Sequence, residues 1–196
     1  MAIDNIFEIL GVRYWFHGTD YKSAINIVSK GIYLAEGKRG GDFSDGLGFY
    51  LTSNFEFAKA WSKKMMRKET SAIIVFDTHC DTDLFSDYIG LELSSADQEW
   101  EEIIQYYRNG ASEEKKNKKR LALERKRQYI YGPISYDGCS SNKPNWKPRA
   151  RLRTKLHNQK LENEDISPYL MQLCIKDELL ACDIYDKSKM FVIFFK

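Results

Sequence analysis

His17 and Gly18 close an aromatic run, Tyr14-Trp15-Phe16, and are followed by Thr19 and Asp20. A histidine in that place is a packed core side chain, a general base, a metal ligand or a finger that holds a ligand. The glycine behind it offers a backbone N–H and C=O with no side chain in the way. The metal option finds little company elsewhere. His79, His157 and the four cysteines, Cys80, Cys139, Cys174 and Cys182, show neither Cys-x-x-Cys pairing nor zinc spacing. Reduced thiols and no metal are therefore expected. His79-Cys80 resembles a Cys/His nucleophile only in composition, because adjacent side chains on a strand end point to opposite faces; a strand terminus is the expected role.

The 196 residues, 43% of them hydrophobic, suffice for one compact domain with a real core. A single domain over 1–196 is expected, with a basic helix or loop insertion around 111–168. The longest apolar runs, "AIIVF" and "MFVIFF", have the length of buried strands and fall far short of the roughly 20 residues a bilayer needs. The segment "MAIDNIFEILG" has an early acid and no basic leader, so a cytoplasmic location and no membrane partner are expected. Net charge is only +2, but Lys115–Lys160 holds 15 of the 30 basic residues and just two acids, Glu124 and Asp137. That leaves +13 in the segment and −11 in the rest of the chain. Such separation presents either an anion-facing surface, for nucleic acid among others, or a solvated helix followed by a mobile loop.

The elements that must position His17 and its neighbours alternate between strand and helix signals. Residues 12–16 read as a strand ending at His17-Gly18. Thr19 or Asp20 caps a helix with Ala24, Ile27, Val28 and Gly31 on one face. Residues 36–46, "EGKRGGDFSDG", are too rich in glycine to pack and read as a mobile loop. A strand in "LGFYLT" follows, then a helix capped by Ser53 or Asn54 with Ala58, Trp61 and Met65 inward, then a buried strand at 71–77. Residues 96–109 set Trp100, Ile103, Ile104 and Tyr107 on one helical face. The run 113–127 favours a protruding helix, and "YIYGPI" a strand stopped by Gly132-Pro133. Residues 137–168 read as a long loop, and "YLMQLCIK" and "KMFVIFFK" as core strands around a short helix at 177–184.

The ordered set "FHGT", "KGIYLA", a glycine loop, "GLGFYLTS" and "AKAW" resembles the N-terminal half of the ADP-ribosyltransferase catalytic fold. Within it the set is most similar to the branch shared by diphtheria toxin and the poly(ADP-ribose) polymerases, whose signature is His, Tyr and Glu on three strands. Downstream, "DQEWEEIIQYYRNG", "YIYGPIS" and "QLCIKDELLACDI" are similar to small uncharacterised bacterial proteins carrying the same HGT and GFYLT motifs. The resemblance spans about Tyr14 to Ile184. It implies an α+β domain, a split antiparallel sheet with NAD in its cleft, and transfer of ADP-ribose to a macromolecular, protein acceptor, in the manner of a toxin or effector with an inhibitor partner; the glutamine at 172 argues for single transfer (mono-ADP-ribosylation) over chain elongation.

The resemblance also implies roles. His17 would hold the adenosine-side ribose and Gly18 the nicotinamide carboxamide; Tyr50 would stack on the nicotinamide ring, with Trp61 as its second aromatic. Offset stacking contributes about 0.5–1.5 kcal/mol beyond area burial. Thr19 and Arg39 would serve the ribose and the pyrophosphate. A serine that binds the carboxamide in some relatives is replaced by Ala58. The position of the glutamate falls on Gln172, which can bond a ribose 2′-hydroxyl but brings no charge to set against a developing cation. Glu178, Glu92 and Glu99 are the fallback carboxylates. That replacement leaves two alternatives: a module that binds NAD or ADP-ribose without turnover, and, from the basic segment, a nucleic-acid-directed transferase or an RNA 2′-phosphotransferase-like enzyme.

Overall fold

The computed structural model describes residues 12–34, 41–44, 46–65, 70–79, 84–109, 126–136, 147–153 and 167–195. It is a mixed α+β architecture. In chain order the elements are β1 (Tyr14–Asp20), α1 (Tyr21–Lys30), β2 (Phe49–Thr52), α2 (Phe55–Met65), β3 (Ser71–Asp77), β4 (Gly90–Glu92), α3 (Gln98–Asn109), β5 (Tyr129–Pro133), β6 (Met171–Ile175), α4 (Glu178–Lys187) and β7 (Lys189–Phe195). They form one seven-stranded sheet in the order β4-β5-β6-β2-β1-β3-β7. All neighbours are antiparallel except β4 and β5.

The sheet is loosest at its middle. β1 pairs with β3 over seven residues and β2 pairs with β6 over four, but β1 meets β2 through the single pair Phe16↔Thr52. The strands β4-β5-β6-β2 and β1-β3-β7 are thus two well-laddered halves with a gap between them.

Alternation of side chains sends each half's residues to two faces. On one face Trp15, Ile74, Phe76, Leu51, Leu173 and Ile175 pack beneath α1 and α4, through Ala24, Leu180, Ala181 and Ile184. The opposite face carries α3 over one half and α2 over the other. Trp100, Ile103, Ile104 and Tyr107 are all buried there, as the amphipathic stripe predicts. Each such side chain contributes about 1.5–3 kcal/mol when fully buried.

Local chemistry fixes the ends. Asp20 caps α1 by accepting from the Ser23 N–H at 2.8 Å, and Asp177 caps α4 by accepting from the Leu180 N–H at 3.0 Å.

Several expectations are corrected. β1 does not end at His17-Gly18 but runs on to Asp20, paired throughout with β3, so both residues sit in mid-strand. β5 continues through Gly132 and Pro133; β4 stops opposite Tyr131, so the proline lies beyond the row where three strands need its missing N–H. The buried side of α2 is Ala58 and Ser62, at i and i+4, while Trp61 is 43% exposed. In the glycine-rich loop Asp42, Phe43 and Ser44 are buried. Part of the long loop also pairs. Arg151 exchanges backbone bonds with Ile134 and Leu170, and bridges join Ser135 to Ala150 and Leu152 to Tyr169. The expected helix at 113–127 lies almost wholly outside the described residues.

Candidate functional site

Among the described residues, His17 is the side chain that bonds across the gap between β1 and β2. His17 Nδ1–H donates to the Tyr50 carbonyl at 2.8 Å, and the imidazole stacks on Phe49 with ring centres 4.2 Å apart. Because a carbonyl only accepts, the proton is on Nδ1 and Nε2 is left as an acceptor. Burial lowers the pKa of the ring below the ordinary histidine value, against the opposing pull of the Tyr50 carbonyl and Asp20. Neutral His17 is therefore the form held at pH 7.

Beside it opens a cavity of about 450 Å³ whose walls include His17, Thr19, Asn26, Lys30, Tyr33 and Phe49. β1 supplies two of these, α1 two more, and the segment after α1 and the start of β2 the rest. His17 and Thr19 project into the same space because they are two apart on one strand. Asn26, Lys30 and Tyr33 were not singled out in the sequence. Their only signal was position, on the helix and turn that follow a capped strand end.

On the other face of the sheet the remaining candidates meet a different environment. Tyr50 points away from the cavity, and its hydroxyl pairs with Ser44 Oγ at 2.9 Å and accepts from the Phe43 N–H at 3.0 Å. Gly41 lies so close that a Cβ there would fall 2.2 Å from the Tyr50 oxygen, so only glycine lets the loop cover the ring. Desolvation pushes the phenol well above the ordinary tyrosine range, helped by Cys174 and Asp42 and opposed by the bonds from Ser44 and Phe43. The thiol of Cys174, across from Tyr50 in the β2/β6 ladder, is pushed up to about 12 by burial.

Next to Tyr50 lies a polar cluster invisible in the sequence motifs. Asp42 is 4% exposed, and its carboxylate accepts from Arg108 Nε at 2.7 Å and also from Arg108 Nη2. It accepts as well from the Ser135 N–H at 2.8 Å, from Ser135 Oγ at 2.7 Å and from Gln172 Nε2 at 2.7 Å. The loop, α3, the exit of β5 and β6 thus converge on one buried carboxylate. A buried charge of this kind requires both a counter-ion and hydrogen bonds, and here it has them.

Gly18 shares the face of Tyr50 and lies under α2. A Cβ added there would stand 2.3 Å from the Ala58 carbonyl oxygen, so close helix packing alone already demands glycine. Trp61 stacks on Phe57 of its own helix, 6.2 Å between ring centres at 26°, and no ring contact joins it to Tyr50 among the described residues. Arg39 lies outside the described residues, as does most of the basic segment 115–160. Where that segment is described, the Arg151 guanidinium sits over Tyr136 and Phe57, 4.7 and 5.5 Å from their ring centres. Of the fallback carboxylates, Glu99 and Glu178 are exposed in first helical turns and Glu92 is half-buried on β4. His79, expected at a strand terminus, lies two residues past the end of β3, and its N–H donates to the Asp77 carboxylate at 3.0 Å. Among the described residues no group of histidine, cysteine and carboxylate side chains is arranged to hold a metal, and no helix is long and apolar enough to cross a membrane.

The family described as protein of unknown function DUF3990 matches residues 16–145, more than half of the chain, and the chain belongs to that family. The matched region contains His17, Asp42, Tyr50, Arg108 and Ser135, and stops short of Gln172. No curated protein and no solved structure matches the chain.

Proposed function

We propose that this member of the DUF3990 family binds NAD across the gap between β1 and β2 and acts as a mono-ADP-ribosyltransferase on a protein acceptor. One observation carries the reading: the sheet parts where β1 meets β2, and His17 spans that parting beside a cavity of about 450 Å³. The cavity has the size of a small-molecule site and mixes an aromatic wall with a few polar groups. His17 Nε2 and the Thr19 hydroxyl suit a ribose edge, and Lys30 suits a phosphate.

On the opposite face Gly18, Tyr50 and Gln172 lie near the same parting; α2 covers Gly18 and the loop at 41–44 covers Tyr50, so nicotinamide would be received beside Gln172. In the reaction the bond from ribose C1′ to the nicotinamide nitrogen breaks, its electron pair leaves with nicotinamide, and an acceptor nucleophile forms the new bond to C1′ and loses its proton. The groups that face the sugar are neutral, which fits a single transfer and slow turnover.

Incubation of a lysate with labelled NAD, read by nicotinamide release and by mass spectrometry of modified proteins, tests this directly. The expected result is label on protein with the wild type and its loss with His17→Ala. Equal behaviour of the two removes the catalytic reading.

A second reading, a module that binds NAD or ADP-ribose without turnover, is favoured by one contact: the Gln172 amide nitrogen is already committed to Asp42. Calorimetry showing NAD binding without nicotinamide release would select it.

A further inference from the structure

Gln172 is an amide whose two ends are nearly the same shape, and its neighbours decide which end faces outward. Its nearest polar partner is Asp42, 2.7 Å away. Asp42 also receives both the guanidinium of Arg108 and the N–H of Ser135, so it is a carboxylate with acceptor capacity only. The atom of Gln172 that meets it must therefore be Nε2, and Oε1 is turned the other way. Among the described residues no protein donor is placed on Oε1, whereas the donors around Asp42 are matched to both of its oxygens. Gln172 is itself only 8% exposed, and exchanging the ends of its amide would set Oε1 against the Asp42 carboxylate and lose the bond.

We infer that Asp42 and Arg108 are positioning residues: they hold Gln172 with Oε1 as a fixed hydrogen-bond acceptor for a hydroxyl-bearing ligand. The inference rests on the NAD reading for the identity of that ligand, a ribose, but its geometry does not. The arrangement has a second consequence. The negative charge of this wall is supplied by a loop residue, 42, and not by the strand residue, 172. A carboxylate at 172 would stand within hydrogen-bond distance of the one at 42, whose cation among the described residues is Arg108, so the two positions exclude each other as acids.

The charge exchange tests the geometry without any ligand. Gln172→Glu should lower the melting temperature by about 5–10 °C at pH 7.5, since two buried carboxylates then face each other where an amide had donated to one. Asp42→Asn/Gln172→Glu, which moves the acid to the strand and restores a single carboxylate to the buried pair, should recover most of that loss. A Gln172→Glu chain as stable as wild type, or a double variant no better than the two single losses combined, overturns the inference. Ligand orientation is then read by NAD calorimetry on Gln172→Met, which keeps the volume and removes the acceptor, and on Asp42→Asn, which releases the amide. Both should weaken binding about tenfold, the worth of one hydrogen bond. Unchanged NAD affinity in Gln172→Met overturns the acceptor role even if the charge exchange behaves as expected. If wild type binds no NAD while the charge exchange still holds, the NAD reading fails and the oriented acceptor stands.

Discussion

The two walls of the β1/β2 gap are built differently. On the α1 side, His17 and Thr19 border open space, and the ring of His17 keeps one nitrogen for a partner. On the α3 side, Asp42, Arg108, Ser135 and Gln172 close on one another, and Tyr50 is sealed by Gly41, Phe43 and Ser44. The first wall trades little stability for access. The second derives its order from a network in which each member is satisfied by the others, and that makes it costly to break. A ligand can enter the first without rearranging the fold, whereas in the second it meets atoms whose orientation has already been decided.

Four variants or conditions separate the walls, from the largest effect downward. Asp42→Ala takes the buried carboxylate away from Arg108, Ser135 and Gln172 together, and should cost about 3–5 kcal/mol in urea unfolding. A loss below about 1 kcal/mol would mean that the network is ornamental. Gly18→Ala drives a Cβ into the Ala58 carbonyl and should cost about 1–3 kcal/mol by pushing α2 off the sheet, read as a lower melting temperature.

His17→Ala should cost only about 1 kcal/mol of stability, the worth of its bond to Tyr50, while abolishing NAD capture. Stability loss as large as that of Asp42→Ala would show that the open wall is structural after all.

The smallest effect is a pH dependence. Burial holds the folded pKa of His17 below the unfolded value, so the unfolded chain binds the proton first as pH falls through about 6.5. Folding stability should therefore decline from that pH down to the folded pKa, and the decline should shrink in His17→Gln. A steeper acid loss in the variant would reverse the assignment. The sealed wall has its own check: Cys174, buried beside Tyr50, should resist thiol alkylation until unfolding, while exposed Cys182 reacts.

Much of this plan was legible before any coordinates. The period of Trp100, Ile103, Ile104 and Tyr107 announced α3 and its buried face, and the pair Thr19-Asp20 announced the start of α1, because caps and amphipathic stripes are local facts. The β-branched and aromatic run before His17 announced β1, although not its length. Pairing with β3, through Gly18↔Ile73, Thr19↔Ala72 and Asp20↔Ser71, carries the strand to Asp20, and no local signal reports a partner so distant in sequence. Trp61 was assigned to the inner face of α2 on hydrophobicity, but the close approach at Gly18 admits only Ala58 and Ser62 there.

Asp42 was the principal miss, since its glycine-rich surroundings read as solvent-exposed. Two clues were present. Phe43 is a poor residue for a mobile loop, and Arg108 continues the row of Trp100 and Ile104 at i+4 and i+8, which places a cation at the end of a buried stripe that must find an anion.

What the sequence determined by itself was most of the elements, β4 excepted, and the pairing of His17 with Thr19 on one strand face, since these follow from spacing within one segment. What only the tertiary structure decided was which polar groups share a buried volume. Residues 42, 108, 135 and 172 belong to four separate segments, and the requirement that a buried carboxylate be matched by a cation and by donors acts only once those segments are packed together.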